Sequence, residues 1–306
     1  MQRISRVWLN KAATCRRHAK LSCAATAKRQ SRKLCMANRS YLYSLGNRPT
    51  SYEDRSEKIS GLSEWAYDVP FMYRLLMSVD PQLCASLVAD GLGDEEEGQK
   101  TRLYAISSPF APGLERVRRF ADIVKLLAST PPPATATAPQ AIAPASLLAR
   151  FKEMFAPASP AAEPSVEASP EIRHLPGWLD ETVAFLEAHR DDFLLLETVE
   201  LDTMSEGEED ALRECVESEI ERCRGVGAAF EALPAEIHEA ARVLRSAAVD
   251  EAPPPLDAFF GLRFDDECDS TKTGDTDCPL GLTNWSDVLY FGLFNRAEFE
   301  ADRAAG

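Results

Sequence analysis

The chain has 306 residues, of which 45% are hydrophobic and 27% are charged, and these are ordinary values for a globular protein. Its net charge is −15, but residues 1–35 hold ten basic residues and no acid, so residues 36–306 carry 24 basic residues against 49 acids, a net charge of −25. Because a body this acidic repels phosphate backbones, we expect no nucleic-acid binding, and a basic protein partner fits better. No apolar run reaches the roughly 18–20 residues that span a bilayer, so we expect no membrane partner either.

The first 35 residues form a basic extension rich in Arg, Ser and Ala. This composition is typical of a transit peptide in a eukaryote, and an RNA-binding arm is another interpretation. We favour a third, in which Met36 is the true start, because globular-looking sequence begins abruptly at that residue.

The stretch that organises the next part of the chain is 61–79, GLSEWAYDVPFMYRLLMSV. Its first half predicts an aromatic turn, and its second half predicts a short helix from Pro70 that is buried on more than one face. Asp68 offers the one side-chain oxygen at the start of that helix that would cap its free amides. Around this stretch we predict a strand at 41–43, a polar loop or short helix at 51–60, a short helix at 82–89, a strand at 102–107 and a helix at 109–127.

Residues 129–170 consist mainly of Ala, Pro, Ser and Thr, a composition that predicts a flexible linker. Within it, the amphipathic segment 147–155 either docks on the body or binds a partner. The chain therefore divides into a basic extension at 1–35, a first folded part at 36–128, this linker, and a second folded part at 171–306.

The second folded part alternates helices with apolar strand-like runs. We predict a helix at 178–189, a strand at 193–201, a long helix from Ser205, a helix from Pro234, a strand at 259–264, a strand at 288–294 and a short final helix. With two strands before the linker and three after it, neither part can easily build a sheet alone. The sequence thus predicts an α+β fold in which one mixed sheet of about five short strands is shared across the linker and covered by helices.

Three segments together resemble a family of uncharacterised bacterial proteins. They are MANRSYLYS at the start of the first folded part, GLSEWAYDVP, and NWSDVLYFGLF near the C-terminus. The resemblance implies a bacterial, cytoplasmic protein that begins at Met36. It brings no catalytic residues, because the family has no established activity.

Common catalytic and metal-binding motifs are missing from the sequence. None of GxSxG, GxxxxGK[ST], GxGxxG or CxxC occurs, and His238 stands in HExxR, which lacks the second histidine of a zinc site. We therefore expect no cofactor. The residues that we single out for binding are Trp65, Tyr67, Asp68 and Trp285, whose alternative interpretation is core aromatics and a helix cap.

A second candidate is the acidic loop at 265–277. It resembles a calcium loop only superficially, because Leu280 stands where a bidentate glutamate is required. Its possible metal ligands are Asp265, Asp266, Asp269, Asp275 and Asp277.

These observations lead to two functional hypotheses. The first is an acidic, cytoplasmic interaction protein without catalytic activity, which acts like an immunity protein or a regulator on a basic partner. The alternative is a metal-assisted enzyme that uses the acidic loop or a cleft beside Trp65 and Asp68. The oligomeric state is not encoded in any of these patterns.

Overall fold

The structure is a computed structural model, and it describes residues 38–91, 101–129, 172–270 and 278–305. The predicted basic extension and nearly all of the predicted linker, with its segment 147–155, lie outside the described residues. So do Asp275 and Asp277 of the acidic loop.

The described chain folds around one five-stranded sheet with helices packed on it, which confirms the α+β class and the number of strands. The strands are β1 (Arg39–Leu45), β2 (Ile59–Ala66), β3 (Gln82–Ala85), β4 (Tyr104–Pro109) and β5 (Phe193–Glu197). Their order is β2-β1-β5-β4-β3, so the central strand comes from beyond the predicted linker. All four strand pairs are antiparallel, and the predicted mixed sheet is in this respect wrong.

The helices are α1 (Phe71–Met77), α2 (Phe110–Ser129), α3 (Leu175–Ala188), α4 (Val199–Asp202), α5 (Glu209–Glu231), α6 (Ile237–Val249) and α7 (Arg296–Ala305). The large ones, α2, α3, α5 and α6, pack with α1 on one side of the sheet, which we call the helix side.

Two predicted strands are absent and two real ones were missed. Residues 259–264 begin at the last residue of a 3-10 helix, Leu256–Phe259, and form no strand, and residues 288–294 form none either. The missed strands are β2, which lies across the predicted loop or short helix at 51–60 and the predicted aromatic turn, and β3, predicted as a helix. Four strands therefore precede the linker region and one follows it.

Helix α1 is buried as predicted, and it lies at the centre of the helix-side core. The Phe71 ring packs against those of Phe120 and Phe259, with centroids 5.1 and 6.0 Å apart. Its cap differs from the prediction, because Pro70 occupies the cap position without a side-chain hydrogen bond. Instead, the free amides of Phe71 and Met72 donate to the backbone carbonyls of Pro279 and Leu280.

Gly113 sets how closely α2 approaches α1. A Cβ atom at this position would lie 2.1 Å from the carbonyl oxygen of Leu76, a backbone atom that cannot turn away. We expect Gly113→Ala to lower the free energy of unfolding by about 1–3 kcal/mol through overpacking, although alanine favours a helix over glycine.

The matched control for Gly113 is Gly225→Ala in α5, where a Cβ would meet nothing within 4 Å. This substitution should leave the protein equally stable or up to about 1 kcal/mol more stable. Chemical denaturation of both variants tests the packing, and equal effects of the two substitutions would contradict it.

The opposite side of the sheet is covered by an extended segment, residues 286–294, which we call the strap. Leu289, Phe291 and Leu293 are half-buried against the tyrosines of β1 and Leu195 of β5. Tyr290 and Gly292 between them are exposed, as is Val288 just before them, at 80% of its surface. The strap pairs with the edge strand β2 only at its start, where the Ser286 amide donates to the Leu62 carbonyl at 2.9 Å. Beyond that point it keeps the alternation of a strand but lies on the face of the sheet, which explains the wrong strand prediction.

Candidate functional site

The four residues singled out for binding have different environments. Trp65 lies in β2 opposite Ser40 and is half-buried on the helix-side core. Trp285 is also half-buried, with its indole N–H donating to the Gly281 carbonyl at 3.1 Å and its ring 5.8 Å from that of Tyr73. Both tryptophans therefore contribute to the core, as their alternative interpretation supposes.

Tyr67 is the most exposed of the four, at 61% of its surface. Its φ angle is 66°, in the left-handed region that side chains other than glycine seldom adopt. Its amide donates to the Asn38 carbonyl at 2.7 Å, which ties the turn after β2 to the start of β1. The backbone contact gives Tyr67 a structural function, while its ring stays open to solvent.

Asp68 belongs to a charge network around Arg74. Its carboxylate accepts the Val69 amide at 2.7 Å and lies 3.3 Å from the Arg74 guanidinium. Arg74 in turn donates to the nearly fully buried Glu219 at 2.7 Å, which Arg222 also contacts at 2.8 Å. Burial alone would lower the pKa of Arg74, but the bonds and charge of Glu219 raise it.

The described carboxylates of the acidic loop hold backbone groups in place. Asp266 accepts the amides of residues 173, 174 and 175, at the start of α3. Burial alone would raise the pKa of Asp266, but these hydrogen bonds together lower it. Asp269 accepts three further amides, from residues 281, 282 and 283. Asp265 accepts the Glu267 amide and pairs with Arg263 at 2.9 Å.

Within the residues that the structure describes, no group of three or more His, Cys, Asp or Glu residues is arranged to hold a metal ion. No described helix has both the length and the apolarity needed to cross a membrane.

A buried carboxylate on the central strand is a feature that the sequence reasoning missed. Glu197 lies on the strap side and is 1% exposed, accepting the Leu87 amide at 2.7 Å and the Ser86 hydroxyl at 2.8 Å. Burial raises its pKa to about 7, although both hydrogen bonds and the charge of Arg55 lower it. A lone glutamate in the apolar run FLLLE was the available signal.

Arg55 connects the Glu197 environment to the strap. It is 2% exposed and donates to the Leu87 carbonyl at 2.7 Å and to the Phe294 carbonyl at 2.9 Å. Its guanidinium also lies over the rings of Tyr52 and Phe299. Because perturbed carboxylates are common in active sites, Glu197 is a chemical candidate, but its burial under these contacts keeps it from any substrate in this conformation.

The most accessible candidate is a groove beside α5. Asp210, Glu214, Glu217 and Glu221 follow one another at intervals of four, three and four residues, which places them on one exposed stripe of the helix. Leu83 and Gln82 of the edge strand β3 form the other wall, and Ile220 lies between. One cation, Arg224, also lines the space and donates to the Pro81 carbonyl, next to β3, at 3.3 Å. The space has a volume of about 550 Å³. We call it the acidic groove.

Local ion pairs do not neutralise the acidic groove. Glu217 pairs with Arg213 at 2.8 Å, and Glu221 pairs with Arg224. The exposed fractions of these four side chains range from 48% to 69%. Such exposed ion pairs contribute little free energy, so a cationic side chain of a partner can replace the arginine in the pair. Glu214 forms no ion pair with any described residue. The spacing of the acids in EDALRECVESEIER was the sequence signal for this surface, and it was overlooked.

Comparison with known proteins gives a family but no activity. The family model of a domain of unknown function, DUF7822, matches residues 46–247, about two thirds of the chain. The chain belongs to the DUF7822 family. The expected membership of an uncharacterised family is thereby confirmed.

The DUF7822 match includes both walls of the acidic groove, β3 and α5, whereas the strap lies outside it. No curated protein matches the chain. No solved structure matches it either.

Proposed function

We propose that this DUF7822 protein is a non-catalytic interaction protein of the bacterial cytoplasm, which binds a basic protein partner as an immunity protein or regulator would. The observation that carries the proposal is the acidic groove, an open space of about 550 Å³ with three glutamates along one wall. A site of this charge attracts cations over a distance and accelerates the association of a basic partner.

The composition of the groove supports a protein partner over a small cation. Leu83 is partly exposed and provides apolar surface next to the carboxylates, a combination that suits Lys and Arg side chains with their aliphatic stems, whereas Ile220 is only 4% exposed. The acidic body as a whole disfavours nucleic acid, since its net charge over residues 36–306 is −25.

The alternative hypothesis, a metal-assisted enzyme, gains no comparable support. Asp265, Asp266 and Asp269 already accept backbone amides, and these amides come from different parts of the chain. Trp65 and Trp285 pack on the core, so of the three aromatic rings singled out for binding only that of Tyr67 is largely exposed.

Co-purification from the native host tests the proposal. The tagged full chain should retain a basic protein at low salt and lose it at high salt, because exposed charges are screened. The triple variant Glu214→Gln, Glu217→Gln, Glu221→Gln should retain at least about tenfold less of it.

A matched control removes three exposed glutamates that lie elsewhere, at positions 181, 251 and 300. This control variant should retain the partner as the wild type does. Equal retention by the two triple variants, or no basic partner at any salt concentration, would refute the proposed function.

A further inference from the structure

Strand β3 is an edge of the sheet, and its outer side is open at one residue. The Ser86 amide donates inward to Leu103, whereas the Ala85 amide donates outward to the Pro49 carbonyl at 3.2 Å. Because backbone groups alternate in direction along an antiparallel strand, those of Leu83 point outward as well. No hydrogen bond joins them to any other described residue.

The open backbone of Leu83 faces the acidic groove. The Leu83 side chain points to the helix side, where it packs on the core below α5. A chain that paired with Leu83 would therefore direct every second side chain toward the glutamates of α5. Glu214 and Glu221 are seven residues apart, or about 10 Å along the helix, so that an extended segment of about four residues spans them.

We propose that the basic partner binds the acidic groove as an extended segment that adds a sixth strand beside β3. Its lysine or arginine side chains occupy alternate positions and face α5, while backbone bonds to Leu83 fix its register. Main-chain bonds and alternate side-chain contacts are the recurring elements of strand addition. This inference rests on the proposed function and adds the conformation and pattern of the partner.

Other parts of the molecule are weaker candidates for a binding site. Glu197 is sealed by its neighbours, and the exposed Tyr67 ring has no described feature beside it that defines a ligand. The groove between Arg74, Arg222 and the prolines at 254 and 255 has its two guanidinium groups already engaged by Glu219.

A synthetic peptide tests strand addition directly. The probe is fluorescein-labelled Lys-Val-Lys-Val-Lys-Val-Lys amide, titrated with the full chain by fluorescence anisotropy at low and high salt. We expect salt-sensitive binding that is at least about tenfold weaker for the Glu214, Glu217, Glu221 triple variant and unchanged for the control triple variant.

Two modified peptides distinguish pairing from charge attraction. One carries N-methyl groups on every lysine and the other on every valine, so that each blocks the backbone donors of one edge of the peptide. Because only one edge of an added strand faces β3, one of these peptides should bind at least about tenfold more weakly while the other binds like the parent.

Equal affinity of the two methylated peptides, equal loss from both, or no binding of the parent peptide would overturn strand addition. None of these results changes the co-purification of a basic partner through the glutamates. Failure of this inference is thus distinguishable from failure of the proposed function.

Discussion

Replacing Arg74 with methionine is expected to lower the free energy of unfolding by about 3–5 kcal/mol, since the change leaves the Glu219 carboxylate buried without its main partner. The Glu219 side chain is only 5% exposed, and the Arg74 guanidinium lies 2.7 Å from it. Arg222 contacts the same carboxylate but is largely in solvent, so its compensation is small. Urea denaturation at pH 7 measures the change.

The double variant Arg74→Met, Glu219→Met is the control for this prediction. It removes both charges, so that no buried ion is left uncompensated, and it should recover most of the lost stability. A single variant that is as stable as wild type, or a double variant that is as unstable as the single one, would contradict the buried network.

Replacing Glu197 with glutamine should stabilise the protein above neutral pH. The pKa of Glu197 is raised from 4.5 to about 7 by burial, so ionisation costs the folded state more than the unfolded one. The free energy of unfolding of the wild type should therefore fall as the pH rises from about 4.5 to about 7, by about 3 kcal/mol from this group. Glutamine abolishes this slope, and its amide preserves bonds to both the Leu87 N–H and the Ser86 hydroxyl.

Comparison of the Glu197→Gln variant with the wild type isolates Glu197 from its neighbour Asp202, whose pKa burial raises to about 6. Denaturation curves at pH 5, 6, 7 and 8 should diverge progressively, with the variant more stable at pH 8. Parallel curves, or a variant that is less stable at pH 8, would show that Glu197 is already ionised without cost.

Strong local patterns predicted much of the fold. The aromatic run at Tyr41–Tyr43, the apolar helix after Pro70 and the amphipathic helices now called α2, α5 and α6 were all anticipated from their periodicity. Strand β5 was predicted from its apolar residues, although its end turns into the short helix α4.

The missed elements depend on tertiary contacts. Strand β2 contains Gly61, which leaves room for the strap because a Cβ there would lie 2.8 Å from Leu289. A glycine and serines within eight residues conceal the alternation that identifies a strand. The four residues of β3 are too few for any periodic signal, and only pairing with β4 extends them.

The candidate site was predictable in its charge but not in its place. An acidic body follows from composition, and it led us to expect a basic partner. The acidic groove, in contrast, exists because β3 is brought to the edge of the sheet beside α5. The conspicuous acids near the C-terminus, Asp266 and Asp269, misled the interpretation because carboxylates also serve as caps for free backbone amides. The spacing of the acids alone does not tell a carboxylate that lines a groove from one that caps backbone amides.

Amide hydrogen exchange of the full chain, alone and with its co-purified basic partner, tests the acidic groove most directly. We expect slower exchange at the Leu83 amide and in the first half of α5 when the partner is bound, with the turn at Tyr67 and the loop at Asp266 unchanged. Protection centred on Tyr67 or on the acidic loop, with none in β3 and α5, would contradict it.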